Sequence, residues 1–154
     1  MLYQLEKLNN SEKETVLNAP AYITVLIAGS DDNIQDAETK RALELVHIKS
    51  YSESPDISSL YKSLGGDFDS RLGRLLETLP ATHAEREPVL TEELTRLSHI
   101  LKKMDADIAY KYYNSLRSFA SYIANAAGGF AGLNRVSSQE KKYMDLPMIE
   151  DPKA

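Results

Sequence analysis

Apolar positions recur at helical spacing along nearly the whole chain. Phe68, Leu72, Leu75, Leu76 and Leu79 follow i, i+4, i+7, i+8 and i+11, and Pro80 stops the run. Leu90, Leu94, Leu97, Leu101 and Met104 step by four and three over a helix spanning roughly residues 84–103, regular from about Glu87 because Pro88 stands near its start. Asp105 reads as the cap of the longest helix, residues 106–127, whose stripe is Ile108, Tyr112, Leu116, Phe119 and Ile123 and whose end is Gly128-Gly129. Upstream, Ser11 with Glu14 has the form of a capping box. Pro20 either kinks one helix or opens a second, and a break near Asn18-Ala19 is the favoured reading, after which Ile23, Leu26 and Ile27 form a buried stripe up to the turn Gly29 to Asn33. A helix from Asp36 to His47 follows, then a short one opened by Pro55 and ended by Gly65-Gly66. The last helix starts at Ser137 or Ser138 and closes at Leu146-Pro147.

The segment Tyr22 to Ile27 has high strand propensity, but no second segment stands ready to pair with it. The pattern therefore predicts an all-α fold, a compact bundle of seven or eight helices. It reads as one helical domain over residues 1–149, with a loose tail at 150–154.

Composition narrows the function. The 154 residues include 18 Lys+Arg and 23 Asp+Glu, a net charge of −5 that argues against nucleic-acid binding. There is no cysteine, which excludes a disulfide scaffold, a zinc ribbon and a thiol enzyme. Ala19 to Gly29, the longest apolar stretch at 11 residues, is too short for a spanning helix of about 20, so no integral membrane insertion is expected. The first residues lack the form of a secretory signal, and a cytoplasmic location is expected. Residues 101–154 carry 8 basic and 6 acidic groups, against an acidic excess earlier in the chain. Lys102, Lys103, Lys111 and Arg117 could therefore meet an acidic partner, although an ordinary solvated helix face explains them as well.

Two places share an arrangement: an apolar helix, a glycine stop, a loop, a β-branched residue (Ile34 or Val136) and a Glu four positions later (Glu38 or Glu140). Such a unit, used twice, suits a pseudo-twofold helix-turn-helix repeat. The first copy is similar to the second half of an EF-hand loop, with Asp32 where the glycine should be and no carboxylates in the first half. A full calcium site is excluded on that pattern. Asp31, Asp32, Asp36 and Glu38, joined by Glu140 if the repeat is real, remain candidate ligands for a divalent cation, while helix capping by solvated acids is the simpler role.

Ala19-Pro20 through Ala28, then Asp31-Asp32-Asn33-Ile34-Gln35-Asp36-Ala37-Glu38 and the helix after it, resemble the tellurite-resistance TerB-like family. That family is marked by an Asp-Gly-x-Ile-Asp-x-x-Glu turn between two helices of an all-helical fold. Val136 and Glu140 are similar to its later copy. Asp32 replaces the turn glycine and Gln35 replaces an aspartate, which removes one charge. The resemblance implies a small stand-alone member linked to stress resistance, metal ions or membrane-associated complexes.

Glu44-Leu45-Val46-His47 has the Glu-x-x-His spacing of di-iron helices, but His83 and His99 have Pro80 and Arg96 where a second glutamate belongs. No nucleophile elbow, P-loop or dinucleotide fingerprint is present. Four of nine tyrosines, Tyr110, Tyr112, Tyr113 and Tyr122, fall on the longest helix; Tyr113, beside Tyr112 of the buried stripe, could flank a groove for an amphipathic partner helix or peptide, although buried tyrosines with satisfied hydroxyls are the commoner explanation. The sequence thus points to a non-enzymatic helical binding or adaptor domain with no catalytic or cofactor-binding residue. A metal-dependent enzyme or storage protein using Glu44 and His47 is a second reading, and an interaction scaffold built on the Tyr-rich helix is a third. It names no partner and leaves the oligomeric state open.

Overall fold

The central element is a helix that a proline fails to break. A computed structural model describes residues 1–29, 34, 36–130 and 138–154. Among these are eight helices: α1 Leu2–Leu5, α2 Asn10–Ala28, α3 Asp36–Ser52, α4 Pro55–Gly65, α5 Phe68–Thr78, α6 His83–Leu101, α7 Ala106–Phe130 and α8 Ser138–Met144. Residues 19–28 of α2 are all buried. The helix packs against α5, α6, α7 and α8, and this buried second half needs no polar face. The strand-like composition of Tyr22 to Ile27 is that of a helix enclosed on every side.

The break expected near Asn18-Ala19 is absent, and α2 runs through Pro20. Proline has no N–H for the carbonyl four residues back, here that of Val16. The Tyr112 hydroxyl of α7 donates to that carbonyl at 2.7 Å, with Val16 and Tyr112 both fully buried. A side chain from another helix thus replaces the missing backbone donor. Thr24 in turn donates its hydroxyl to the Pro20 carbonyl at 2.8 Å.

The capping box also lies two residues earlier than expected. Asn9 accepts from the Glu12 N–H at 2.8 Å and donates its own N–H to Glu12 Oε1 at 3.1 Å. Asparagine caps as well as serine does, and Glu14 instead meets Arg71 at 2.8 Å. At α6 the helix begins at His83, next to the expected residue 84, and is helical from there rather than only from about Glu87. Thr82 caps it, and Ala84, the residue four before Pro88, is exposed, so water can reach its carbonyl. α3 extends to Ser52 rather than His47. α7 passes through Gly128-Gly129 to Phe130, because a glycine costs a helix only about 1 kcal/mol.

Other boundaries fall where the pattern placed them. Pro55 opens α4, Gly66 caps its end and α5 stops at Leu79 before Pro80. On α5, Phe68 and Leu72 are buried, Leu75 and Leu79 pack at the edge of the core, and Leu76 is exposed. Asp105 caps α7, its Oδ1 accepting from the N–H groups of Asp107 and Ile108 at 3.0 and 3.3 Å. After α8, Leu146 takes a left-handed backbone (φ 48°), held by a fully buried side chain. The segment 150–154, read from the sequence as a loose tail, makes specific contacts. The Glu150 N–H donates to Ser98 Oγ at 2.9 Å, Glu150 pairs with Lys102 at 2.6 Å, and Lys153 pairs with Asp107 at 2.6 Å. Among the described residues no helix is long and apolar enough to cross a membrane.

Candidate functional site

The residues singled out from the sequence fall into four groups. Asp31 and Asp32 lie outside the described residues, as does the second turn at 131–137. Asp36 opens α3 and Glu140 lies in α8, but their side chains are outside the described set. Glu38 is half-buried in the first turn of α3. Glu44 and His47 are both exposed on α3, and His47 meets the edge of the Tyr51 ring at 5.6 Å between centroids. Among the described residues no group of three or more His, Cys, Asp or Glu side chains could hold a metal ion. The four cations of the supposed acidic-partner patch are each engaged: Lys102 with Glu150, Lys103 with Glu12, Lys111 with Asp56 and Arg117 with Asp145. The Tyr-rich helix divides by burial: Tyr112 and Tyr113 are buried, Tyr110 and Tyr122 half-buried.

Tyr110 leads to a feature that the sequence reading missed. An open groove of about 440 Å³ runs between α7 and the α3–α4 junction. One wall is Glu53 and Ser54; the other is Tyr110, Lys111, Asn114 and Ser118 of α7. A buried polar chain braces it from behind. Tyr61 and Ser115 share a hydrogen bond of 2.9 Å, Ser115 donates to Glu53 Oε1 at 2.9 Å, and Lys49 donates to the same oxygen at 2.6 Å. Lys49 also donates to Ser118 Oγ at 2.9 Å and lies 5.8 Å from the Tyr61 ring centroid.

Lys49 is only 5% exposed, so its charge needs this set of partners. Burial pushes the Tyr61 hydroxyl well above its ordinary range, which keeps it neutral. The second ion pair of the groove, Lys111 with Asp56 at 2.7 Å, is exposed. Its hydrogen bond holds Asp56 below, and Lys111 above, their usual values. The two charged residues that line the groove, Glu53 and Lys111, are therefore each matched, by Lys49 behind the wall and by Asp56 beside it. Ser118 beside Lys49 has the spacing of a serine–lysine pair, but here the lysine donates and the serine accepts, the reverse of a nucleophile surrendering its proton to a base.

A signal for this site existed in the sequence. Ser115 stands three residues after Tyr112 and four before Phe119, so it interrupts the apolar stripe with a hydroxyl that must find a partner.

A second polar cluster joins α6 to α8. His83 Nε2 lies 3.1 Å from the Tyr143 hydroxyl and 3.4 Å from Glu87 Oε2, and Lys142 reaches Glu87 at 3.2 Å. The hydrogen bond from Tyr143 holds the Glu87 carboxyl below its usual range, and burial pushes the Tyr143 hydroxyl up. At the far end of α2, the buried guanidinium of Arg86 donates to the carbonyls of Gly29 at 2.9 Å and Ala81 at 3.1 Å. This positive charge stands at the C-terminus of α2, where the helix dipole favours it, directly before the acidic turn. Comparison with protein-family models, curated proteins and solved structures finds no match for this chain.

Proposed function

We propose that the chain is a non-enzymatic helical binding domain and that the groove between α7 and the α3–α4 junction is its binding face. The observation that carries this reading is the brace behind the groove. A buried lysine is an expensive way to fill space, and here it fixes Glu53 and Ser118, two residues of the opposite walls, by hydrogen bonds of 2.6 and 2.9 Å. Walls held this way are preorganised, which lowers the entropic cost of taking a ligand. A volume of about 440 Å³ is within the range of small-ligand sites.

The test is an amide NMR spectrum recorded with a panel of neutral polar probes. Shifts gathered at residues 53–54 and 110–118 support the reading. Shifts gathered elsewhere, or none at millimolar probe, overturn it.

The TerB-like resemblance supports a role as a stress-linked adaptor, with a divalent cation at Asp31, Asp32, Asp36, Glu38 and Glu140. That part rests on the sequence alone. The Arg86 guanidinium on the Gly29 carbonyl weighs against it, since a fixed positive charge beside the turn opposes a second one. The Glu44 and His47 reading loses ground because both side chains face solvent with no third ligand among the described residues.

A further inference from the structure

The charge, the free polar groups and the spacing of the groove together narrow what it can hold. Its charges are matched in pairs, Lys49 with Glu53 and Lys111 with Asp56, so a charged ligand gains no net attraction and would displace a partner already in place. Its free groups are of both kinds. Ser54 caps α4 without a side-chain hydrogen bond. The Asn114 amide and the Tyr110 hydroxyl make no hydrogen bond among the described residues. A carboxamide offers two donors and one acceptor, the complement of a peptide unit with its own N–H and C=O.

Spacing then distinguishes among neutral polar ligands. Tyr110, Asn114 and Ser118 stand at i, i+4 and i+8 on α7, a straight row along the groove. Four residues of helix rise about 6 Å, and two residues of extended chain rise about 6.8 Å. An extended peptide laid along α7 therefore presents an equivalent main-chain group to each residue of the row in turn. For a sugar the usual platform is an aromatic face, and the Tyr110 ring already carries Lys153, 5.0 Å from its centroid, which weakens it as a stacking platform.

We propose that the groove binds a short extended peptide segment of a partner protein, uncharged where it lies in the groove, and that Asn114 reads its main chain. This rests on the groove being the binding face. Main-chain reading gives affinity with modest sequence selectivity, which suits an adaptor.

Random heptapeptides displayed on phage, selected on the wild-type protein, test the proposal. Enriched peptides are synthesised and titrated against wild type and Asn114→Ala, and again with single N-methyl amides along the peptide. Neutral oligosaccharides are titrated in parallel by NMR. Asn114 is exposed and alanine favours the helix, so the variant folds, which circular dichroism checks. The proposal expects enriched peptides with uncharged cores, a tenfold or greater loss with Asn114→Ala, and a similar loss from one N-methyl position. Peptides that bind Asn114→Ala as tightly as wild type overturn it, as does the absence of any enriched peptide. Oligosaccharide shifts at 53–54 and 110–118 without peptide binding overturn the peptide proposal and leave the groove as a binding face. Silence in both arms removes both.

Discussion

Replacing Tyr112 with Phe removes one oxygen and strands one carbonyl. The hydroxyl donates to Val16 O at 2.7 Å, the carbonyl to which Pro20 has no N–H to offer. Both residues are 0% exposed, so water does not take the place of the lost donor. Stranding a buried acceptor costs about 1–3 kcal/mol, and full burial places this case near 2 kcal/mol. For a chain of this length that lowers Tm by about 4–8 °C. The cause can be isolated by repeating the change on Pro20→Ala, which restores the N–H that α2 lacks. There Val16 O keeps a backbone partner, and Tyr112→Phe should cost about 1 kcal/mol or less. Urea unfolding followed at 222 nm on the four proteins gives the coupling, provided the m-values agree. An equal cost in both backgrounds, within about 0.5 kcal/mol, would refute the claim that Tyr112 is what lets α2 pass through its proline.

Other changes have defined outcomes. Glu53→Leu leaves the Lys49 ammonium buried without its carboxylate and should cost about 2–3 kcal/mol, below the fully buried case because Glu53 is 24% exposed. Lys49→Met should cost less, and the double variant less than the sum; additive urea-unfolding energies would contradict the pairing. At Gly29 a β-carbon would stand 2.6 Å from Val25 O and 2.9 Å from the Arg86 guanidinium, so Gly29→Ala should cost about 1–3 kcal/mol by thermal unfolding. A neutral effect would mean that Arg86 is not held there. Glu12, Asp56, Glu87, Asp107 and Glu150 all have pKa values lowered by hydrogen bonds, chiefly to lysines or Tyr143. A lowered folded pKa gives stability that is complete above the unfolded values of 3.8 and 4.5 and is lost as pH falls through the folded ones. The urea midpoint should therefore fall as pH drops from about 5 to 2; a flat profile would contradict these pairings.

The helices were legible because each carries its own period, and Pro55, Asp105 and Pro80 mark boundaries by local chemistry. The continuity of α2 was not legible. Whether Pro20 breaks a helix depends on Tyr112, which meets Val16 across 96 positions of sequence. The same limit hid the groove. Lys49, Glu53, Ser115 and Ser118 are unremarkable surface types in sequence, and their meaning comes from α3 and α7 lying side by side. Ser115 alone stood out of pattern, a hydroxyl on an apolar stripe. Conversely, Glu44 and His47 had an informative spacing, but the face of α3 that carries them points to solvent.

Wild type and Asn114→Trp, recorded side by side with the same neutral probes, test the account most directly. Asn114 is exposed, lines the groove and takes no part in the brace around Lys49, so an indole there fills the groove without entering the core. The account predicts concentration-dependent amide shifts at 53–54 and 110–118 in wild type and their loss in the filled variant. Equal shifts in both proteins, or shifts gathered on residues 30–38, would contradict it.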